Sequence, residues 1–235
     1  SCYKLYIKKK EGTNMNMFLL IIEVIISYAL LLYTYKKYKE NGIYMWIVIS
    51  LILSCIMSSK TIEVLNVDIS LGIGLSTIIY IANNILIQKK GTEYTKKIID
   101  LIVTFGFMFI LMIFVSYNAK ISLLNSYTSN IFDIILQTNF KYMIATVISL
   151  ICGLYINNHF YYLLRKVKNK IIISNVTSAL LSNLVDVIIF VILCSLVNIS
   201  LYTVIMTFII RYIIKVLICI IGTDVIYIAN NFKEG

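Results

Sequence analysis

Seven apolar runs of about bilayer-spanning length, in a chain with no proline at all, constrain this sequence more than any other feature. They lie at approximately 17–35, 43–59, 69–88, 98–118, 139–163, 174–197 and 201–230. A bilayer core needs about 20 mostly apolar residues per helix. The runs are continuous and not alternating, which excludes the roughly ten-residue strands of a membrane β-barrel. Isoleucine abounds and has only modest helix propensity in water. In lipid that weakness matters less, because every backbone group must be satisfied internally and a helix does so. The prediction is an all-α, polytopic membrane helix bundle. Composition agrees: 60% of residues are hydrophobic and 14% charged, against about 45–50% and about 25% in soluble domains. A soluble enzyme, a disordered chain and a nucleic-acid-binding domain are thereby excluded. The net charge of +10 sits between the apolar runs, where a membrane protein keeps its basic residues. The expected partner is the lipid bilayer and not nucleic acid.

The second run is short and is expected to continue toward Leu65. The last two are separated by Asn198-Ile199-Ser200, which predicts a tight helical hairpin. Residues 1–14 carry Lys4, Lys8, Lys9 and Lys10 without apolar periodicity, and are expected to be disordered or non-native. Residues 15–42 then form an N-terminal transmembrane helix with a basic loop, and residues 43–235 a six-helix core. Three connections are rich in cations: 36–42 (Lys36, Lys37, Lys39), 89–97 (Lys89, Lys90, Lys96, Lys97) and 164–170 (Arg165, Lys166, Lys168, Lys170). Those at 60–68 and 119–138 carry Lys60 and Lys120 alone. Cation-rich loops stay inside. This places the N-terminus outside and the C-terminus inside a cytoplasmic (inner) membrane. The N-terminal lysines then fall on the wrong side, a second reason to set residues 1–14 apart. Five scattered cysteines, none in CxxC spacing, make neither a disulfide framework nor a zinc site. No cofactor is expected.

Intramembrane polar residues are costly, so each raises a functional hypothesis. Glu23 lies in the first run and has a structural reading as well, at the bundle interior or the outer interface. Asn83, Asn84 and Gln88 end the third; Asn84 and Gln88 are four apart and share a helix face. Paired amides suit a flat heterocycle, and they also join helices in membranes. The fifth run holds Asn157, Asn158 and the single histidine, His159, which reads better as an interfacial residue than as a proton relay. Asn157 is one turn from Gly153, where a helix or ligand can approach closely. Ser178, Ser182 and Asp186 make a polar stripe in the sixth run, beside Asn175, Thr177 and Asn183. Arg211 and Lys215 face about the same depth from the seventh. An Asp186–Lys215 ion pair is expected. Desolvation offsets the attraction in such a pair, which makes function the better reason for keeping it.

No P-loop, HExxH, GxSxG or TVGYG-like filter is present, so the chain is not expected to be an enzyme. Polar residues converging from several helices instead suit a small-solute site.

The motifs resemble one family. SLGIGLSTIIYIANNILIQKKGTEYTKKI is similar to its third-span pattern, with Gly72 on the early glycine, Asn84 on an aspartate, Gln88 on a glutamate and Gly91 on a glycine. Lys141, Ala145 and Thr146 fit its fifth span, with Asn157 at an aspartate position. SNVTSALLSNLVDVIIF matches at Asn175, Thr177, Ser182, Asn183 and Asp186. RYIIKVLICIIGTD matches at Tyr212, Lys215 and Thr223. From about 43 to 230 the chain resembles the YhhQ/VUT family of queuosine-precursor transporters, putative vitamin uptake proteins. Its first span looks like the extra N-terminal helix that longer members carry. Departures are Asn84, Gln88, Asn157 and Gly222 in place of family acids, Ile173 for an arginine and Asp224 for a proline.

The resemblance implies import of a 7-deazaguanine base such as preQ0, preQ1 or queuine for tRNA modification. The small-molecule partner would then be a deazapurine base, contacted by Asn84, Gln88, Asn157, Asn183, Asp186 and Lys215. Lys60, Lys141, Ser182 and Arg211 would support them, with Tyr80 and Tyr161 as candidate stacking faces. Two alternatives stay open: a substrate-binding subunit of an ATPase-coupled (energy-coupling-factor type) vitamin transporter, and a non-transporting structural or regulatory membrane protein. Assembly into a homo-oligomer is also open.

Overall fold

The computed structural model describes residues 2–58, 60–64, 67–119, 126–168, 170–194 and 201–232, with the side chains of 2–14, 126–130, 132, 136–139 and 168 left out. Among the described residues the elements are α1 (Cys2–Met57), β1 (Thr61–Val64), β2 (Val67–Ser70), α2 (Ile73–Lys90), α3 (Glu93–Asn118), α4 (Ser126–Lys168), α5 (Ile171–Cys194) and α6 (Leu201–Asn230). The expectation for residues 1–14 falls on side chains outside the described residues, although helix α1 begins at Cys2. The predicted 198–200 turn lies outside them too.

Helix α1 holds the first two predicted spans. At Lys39 its backbone leaves helical geometry, with φ 54° and ψ −134°. A Cβ on Gly42 would sit 2.1 Å from the Thr34 carbonyl oxygen. Residues eight apart in a straight helix are about 12 Å apart along the axis, so the chain doubles back here. Asn16 Nδ2 accordingly reaches the Glu63 carbonyl oxygen at 3.1 Å, close beyond the far end of the second arm. Gly91, at φ 83°, ends α2 and hands its N–H to the Ile87 carbonyl at 3.1 Å. An L side chain rarely adopts that backbone, so glycine permits the tight passage into α3.

The 60–68 connection corrects the sequence reading. The second span does not continue toward Leu65 and the third does not begin at residue 69. Instead β1 and β2 pair antiparallel, with Thr61 opposite Ser70 and Ile62 opposite Ile69. Ile62, Val64, Val67 and Ile69 are buried against Leu20 and Ile210. β-branched residues favour such a half-buried pleated surface. This hairpin closes one end of the bundle; the lysine-rich connections lie at the other.

Five stretches are long and apolar enough to cross a membrane: Met15–Met57, Glu93–Asn118, Phe140–Val167, Ile171–Cys194 and Leu201–Asn230. The first contains two arms. The 18-residue α2 is not among them, and it is buried continuously from Ile73 to Ile87. It is the central helix, with both arms of α1, α4 and α6 around it. The main core joins Leu31, Ile47 and Leu51 of α1 to Ile78, Ile79 and Ile85 of α2 and Ile226 of α6. Large apolar side chains such as Phe107, Met112 and Val115 of α3 point outward, as a lipid-facing surface requires.

Candidate functional site

Four helices place a stripe, at spacings of four, seven or eight residues, on the faces that meet. They are Tyr80, Asn84 and Gln88 on α2; Ser149, Gly153, Asn157, Tyr161 and Arg165 on α4; Asn175, Ser182 and Asp186 on α5; and Arg211, Lys215 and Thr223 on α6. Residues one or two turns apart share a helix face, so the stripes stack into a column. From Arg211 to Thr223 it runs about 18 Å along the membrane-crossing axis at 1.5 Å per residue.

One layer is ionic. Asp186 Oδ2 accepts from Lys215 Nζ in a fully buried ion pair. The Tyr80 hydroxyl donates to the same oxygen at 2.9 Å, and Ser149 faces the carboxylate as well. Gly153 makes this geometry possible. A Cβ there would lie 2.0 Å from the Tyr80 hydroxyl oxygen and 3.1 Å from Asp186 Cβ. A carboxylate without water must be paired and hydrogen-bonded, and this one is.

About one to three turns toward the lysine-rich end lies a layer of amides. Asn157 Nδ2 donates to Asn84 Oδ1 at 2.6 Å, and Asn84 Nδ2 to Asn175 Oδ1 at 2.8 Å. Asn175 Nδ2 in turn donates to the Cys219 carbonyl and to Thr223 Oγ1, each at 2.8 Å. The donors run in one direction, so each amide spends its nitrogen on the next oxygen. Between the layers Asn183 Nδ2 points at Cys219 Sγ, 3.4 Å away. Asn83 donates to Asn158 Oδ1 at 2.6 Å. Three buried amide oxygens, Asn83 Oδ1, Asn157 Oδ1 and Asn183 Oδ1, accept no hydrogen bond, and the buried Tyr161 hydroxyl has no partner.

Both ends of the column carry an arginine. Toward the lysine-rich end Arg165 Nε donates to Gln88 Oε1 at 2.6 Å. Toward the hairpin Arg211 Nη1 donates to Ser70 Oγ at 2.9 Å, with its guanidinium carbon 3.6 Å from the centre of the Phe190 ring. A cavity of about 340 Å³ opens beside Arg211, between the hairpin, α4, α5 and α6.

The sequence-predicted residues thus divide. Asn84, Asn157, Asn183, Asp186, Lys215 and Arg211 come together in the buried column, with Gln88 at its half-buried end. Ser182 is buried there, its hydroxyl turned to the Ala179 carbonyl at 3.4 Å. Lys60 is exposed at the hairpin. Lys141 donates to the Cys194 carbonyl at the end of α5, at 3.0 Å, away from the column. Tyr80, a candidate stacking face, donates its hydroxyl to Asp186. His159 is exposed beside Phe160. Reasoning on single runs missed the connecting role of Asn175 and Thr223 and the hairpin residue Ser70. Asn175 carried a usable signal, standing eleven residues (about three turns) before Asp186 on one face.

Residues 70–229, more than half of the chain, match the model of a family described as "Putative vitamin uptake transporter", and the chain belongs to that family. Neither a curated protein nor a solved structure matches it. The match takes in α2 to α6 and so the whole column. A multi-pass membrane protein that serves uptake of a small molecule follows.

Proposed function

We propose that this member of the vitamin uptake transporter family imports a queuosine precursor, a 7-deazaguanine base, across the cytoplasmic membrane, with the lysine-rich loops inside. The observation that carries this reading is the set of buried amide oxygens without donors. Asn83, Asn157 and Asn183 each offer an acceptor inside the column. A buried unpaired acceptor costs roughly 1–3 kcal/mol. A guanine-like edge presents adjacent N–H donors and a carbonyl, the complement of amide oxygens and nitrogens. Asn84, Asn157 and Asn183 would bind the base, Gln88 would receive it toward the inner end, and Asp186 with Lys215 would hold its polar edge.

The amides at 84 and 157 also bear on mechanism. Neutral side chains exchange hydrogen bonds without carrying protons, so any proton carried by the column would fall to Asp186, its one carboxylate among the described residues. Opening would break the Asn84–Asn157–Asn175 relay and offer the same groups to the ligand. Both arms of α1 lie outside the matched residues, and the first would be an addition to a six-helix core.

The test is complementation. The chain is expressed in a bacterium lacking both queuosine synthesis and its own importer, and supplied with preQ0, preQ1 or queuine at low concentration. Transport retards tRNA on a boronate gel with at least one base. No retardation with any of them, despite confirmed membrane insertion, rejects these three bases as substrates.

A further inference from the structure

We propose that the cavity beneath the β-hairpin is a binding subsite for the carboxylate of a small planar aromatic ligand, held by the free edge of Arg211. Its place on an uptake path rests on the reading above; its chemistry does not.

The cavity measures about 340 Å³, within the range of small-molecule sites. Asp68 and Ser70 of β2, Tyr142 of α4, Phe190 of α5, and Thr207 and Arg211 of α6 line it. Arg211 is only 4% exposed. Asp186, the nearest buried carboxylate on the column, gives its ion pair to Lys215. Asp68 stands exposed and forms no salt bridge with Arg211 among the described residues. The guanidinium is fixed by the Phe190 ring on one side and by Ser70 at Nη1. Its Nε is buried without an acceptor. The edge that remains, Nε with Nη2, is the fork that accepts a carboxylate through two parallel bonds.

Charge points the same way. Among the described residues of α2, α4, α5 and α6, the buried charges are Arg211, Lys215 and Asp186, two cations against one anion. Asp186 also acts on Arg211 across the column, so the two cations share one carboxylate on these four helices, and an excess of buried positive charge in a membrane is costly and marks a ligand path. An anion would complete the set, whereas a second cation would add to the repulsion. Tyr142, its ring 6.3 Å from that of Phe190 and inclined by 29°, extends an aromatic wall for the ligand's flat body. Within the deazapurine class this favours a 7-carboxylate over a neutral 7-nitrile, and disfavours a 7-aminomethyl cation.

The experiment measures binding to the full chain in lipid nanodiscs by calorimetry. The probes are benzoate, benzamide, and 7-deazaguanines bearing 7-carboxylate, 7-cyano or 7-aminomethyl groups. Each carboxylate is expected to bind at least about tenfold tighter than its neutral counterpart, the scale of one charge-assisted fork. Arg211→Gln should erase that preference. Arg211→Lys keeps the charge without the fork and should reduce it several-fold; it carries the test alone if Arg211→Gln does not accumulate. Equal affinities, or a preference that survives these substitutions, would overturn the subsite. Arg211-dependent benzoate binding with no deazaguanine binding keeps the subsite and rejects the base. Deazaguanine binding without carboxylate preference does the reverse, and no binding by any probe overturns both.

Discussion

Helices α2 and α3 are neighbours in sequence, separated by Gly91 and Thr92, and they meet opposite environments. α2 carries Ser76, Thr77, Tyr80, Asn83 and Asn84 and is buried without a break from Ile73 to Ile87. α3 is far more apolar, yet only Thr95, Ile98, Ile99, Ile102 and Gly106 of its 26 residues are buried. In water the more apolar helix would take the centre. In lipid the outside is as apolar as leucine, so apolar side chains gain little by burial among helices. Polar ones gain partners. The centre of the bundle therefore belongs to the helix that hydrophobicity alone would expel, and the function is built on that helix and on those around it.

If that contrast is right, substitutions in the column should be costly and those on α3 nearly silent. Asp186→Ala leaves Lys215 buried without its partner. We expect a loss of about 3–5 kcal/mol, the usual cost of breaking a buried pair from one side, together with loss of uptake. Thermal unfolding in detergent and the tRNA assay would read the two effects.

Gly153→Ala comes next. Its methyl would occupy the place of the Tyr80 hydroxyl, at about 1–3 kcal/mol for an overpacked site. Adding Tyr80→Phe should recover much of that stability, because it removes the clashing oxygen. Purely additive losses in the double variant would refute the close approach. Asn175→Leu should cost about 1–3 kcal/mol by leaving the Asn84 amide without its acceptor. Asn84→Leu in the same chain should add less than its separate cost, since the two share a bond. Phe107→Leu on the lipid face of α3 should stay within about 0.5 kcal/mol and leave uptake unchanged. A large effect there would mean that α3 faces another protein surface and not lipid.

Hydrophobic runs made most of this fold legible. The last span, 201–230, coincides with α6, because its apolar run has no competing signal at either end. The N-terminal turn was placed by its lysines at 36–42, and the backbone does reverse at Lys39. The β-hairpin was hidden because TIEV and VDIS are short and sit between long apolar runs, where a span of average length absorbs them. Their period-two burial, with Ile62 and Val64 inside and Thr61 outside, was the available clue. Within the column the Asp186–Lys215 pair was readable from spacing and depth. The amide relay was not, because a single run shows which face an asparagine occupies but not which neighbouring helix it meets. Lys141 shows the same limit, since a motif position gave no sign that its amine would reach the carbonyl of Cys194 at the end of α5.

The central claim is that the buried column carries substrate and does not merely join helices. Its most direct test is uptake by the double variant Asp186→Leu with Lys215→Met. Replacing a buried ion pair by apolar residues of similar volume is often neutral or stabilising, so the protein should reach the membrane at the wild-type level. We predict that it does so and yields no queuosine in tRNA from any supplied base. Wild-type uptake by a correctly inserted double variant would show that the pair is structural and would contradict the account.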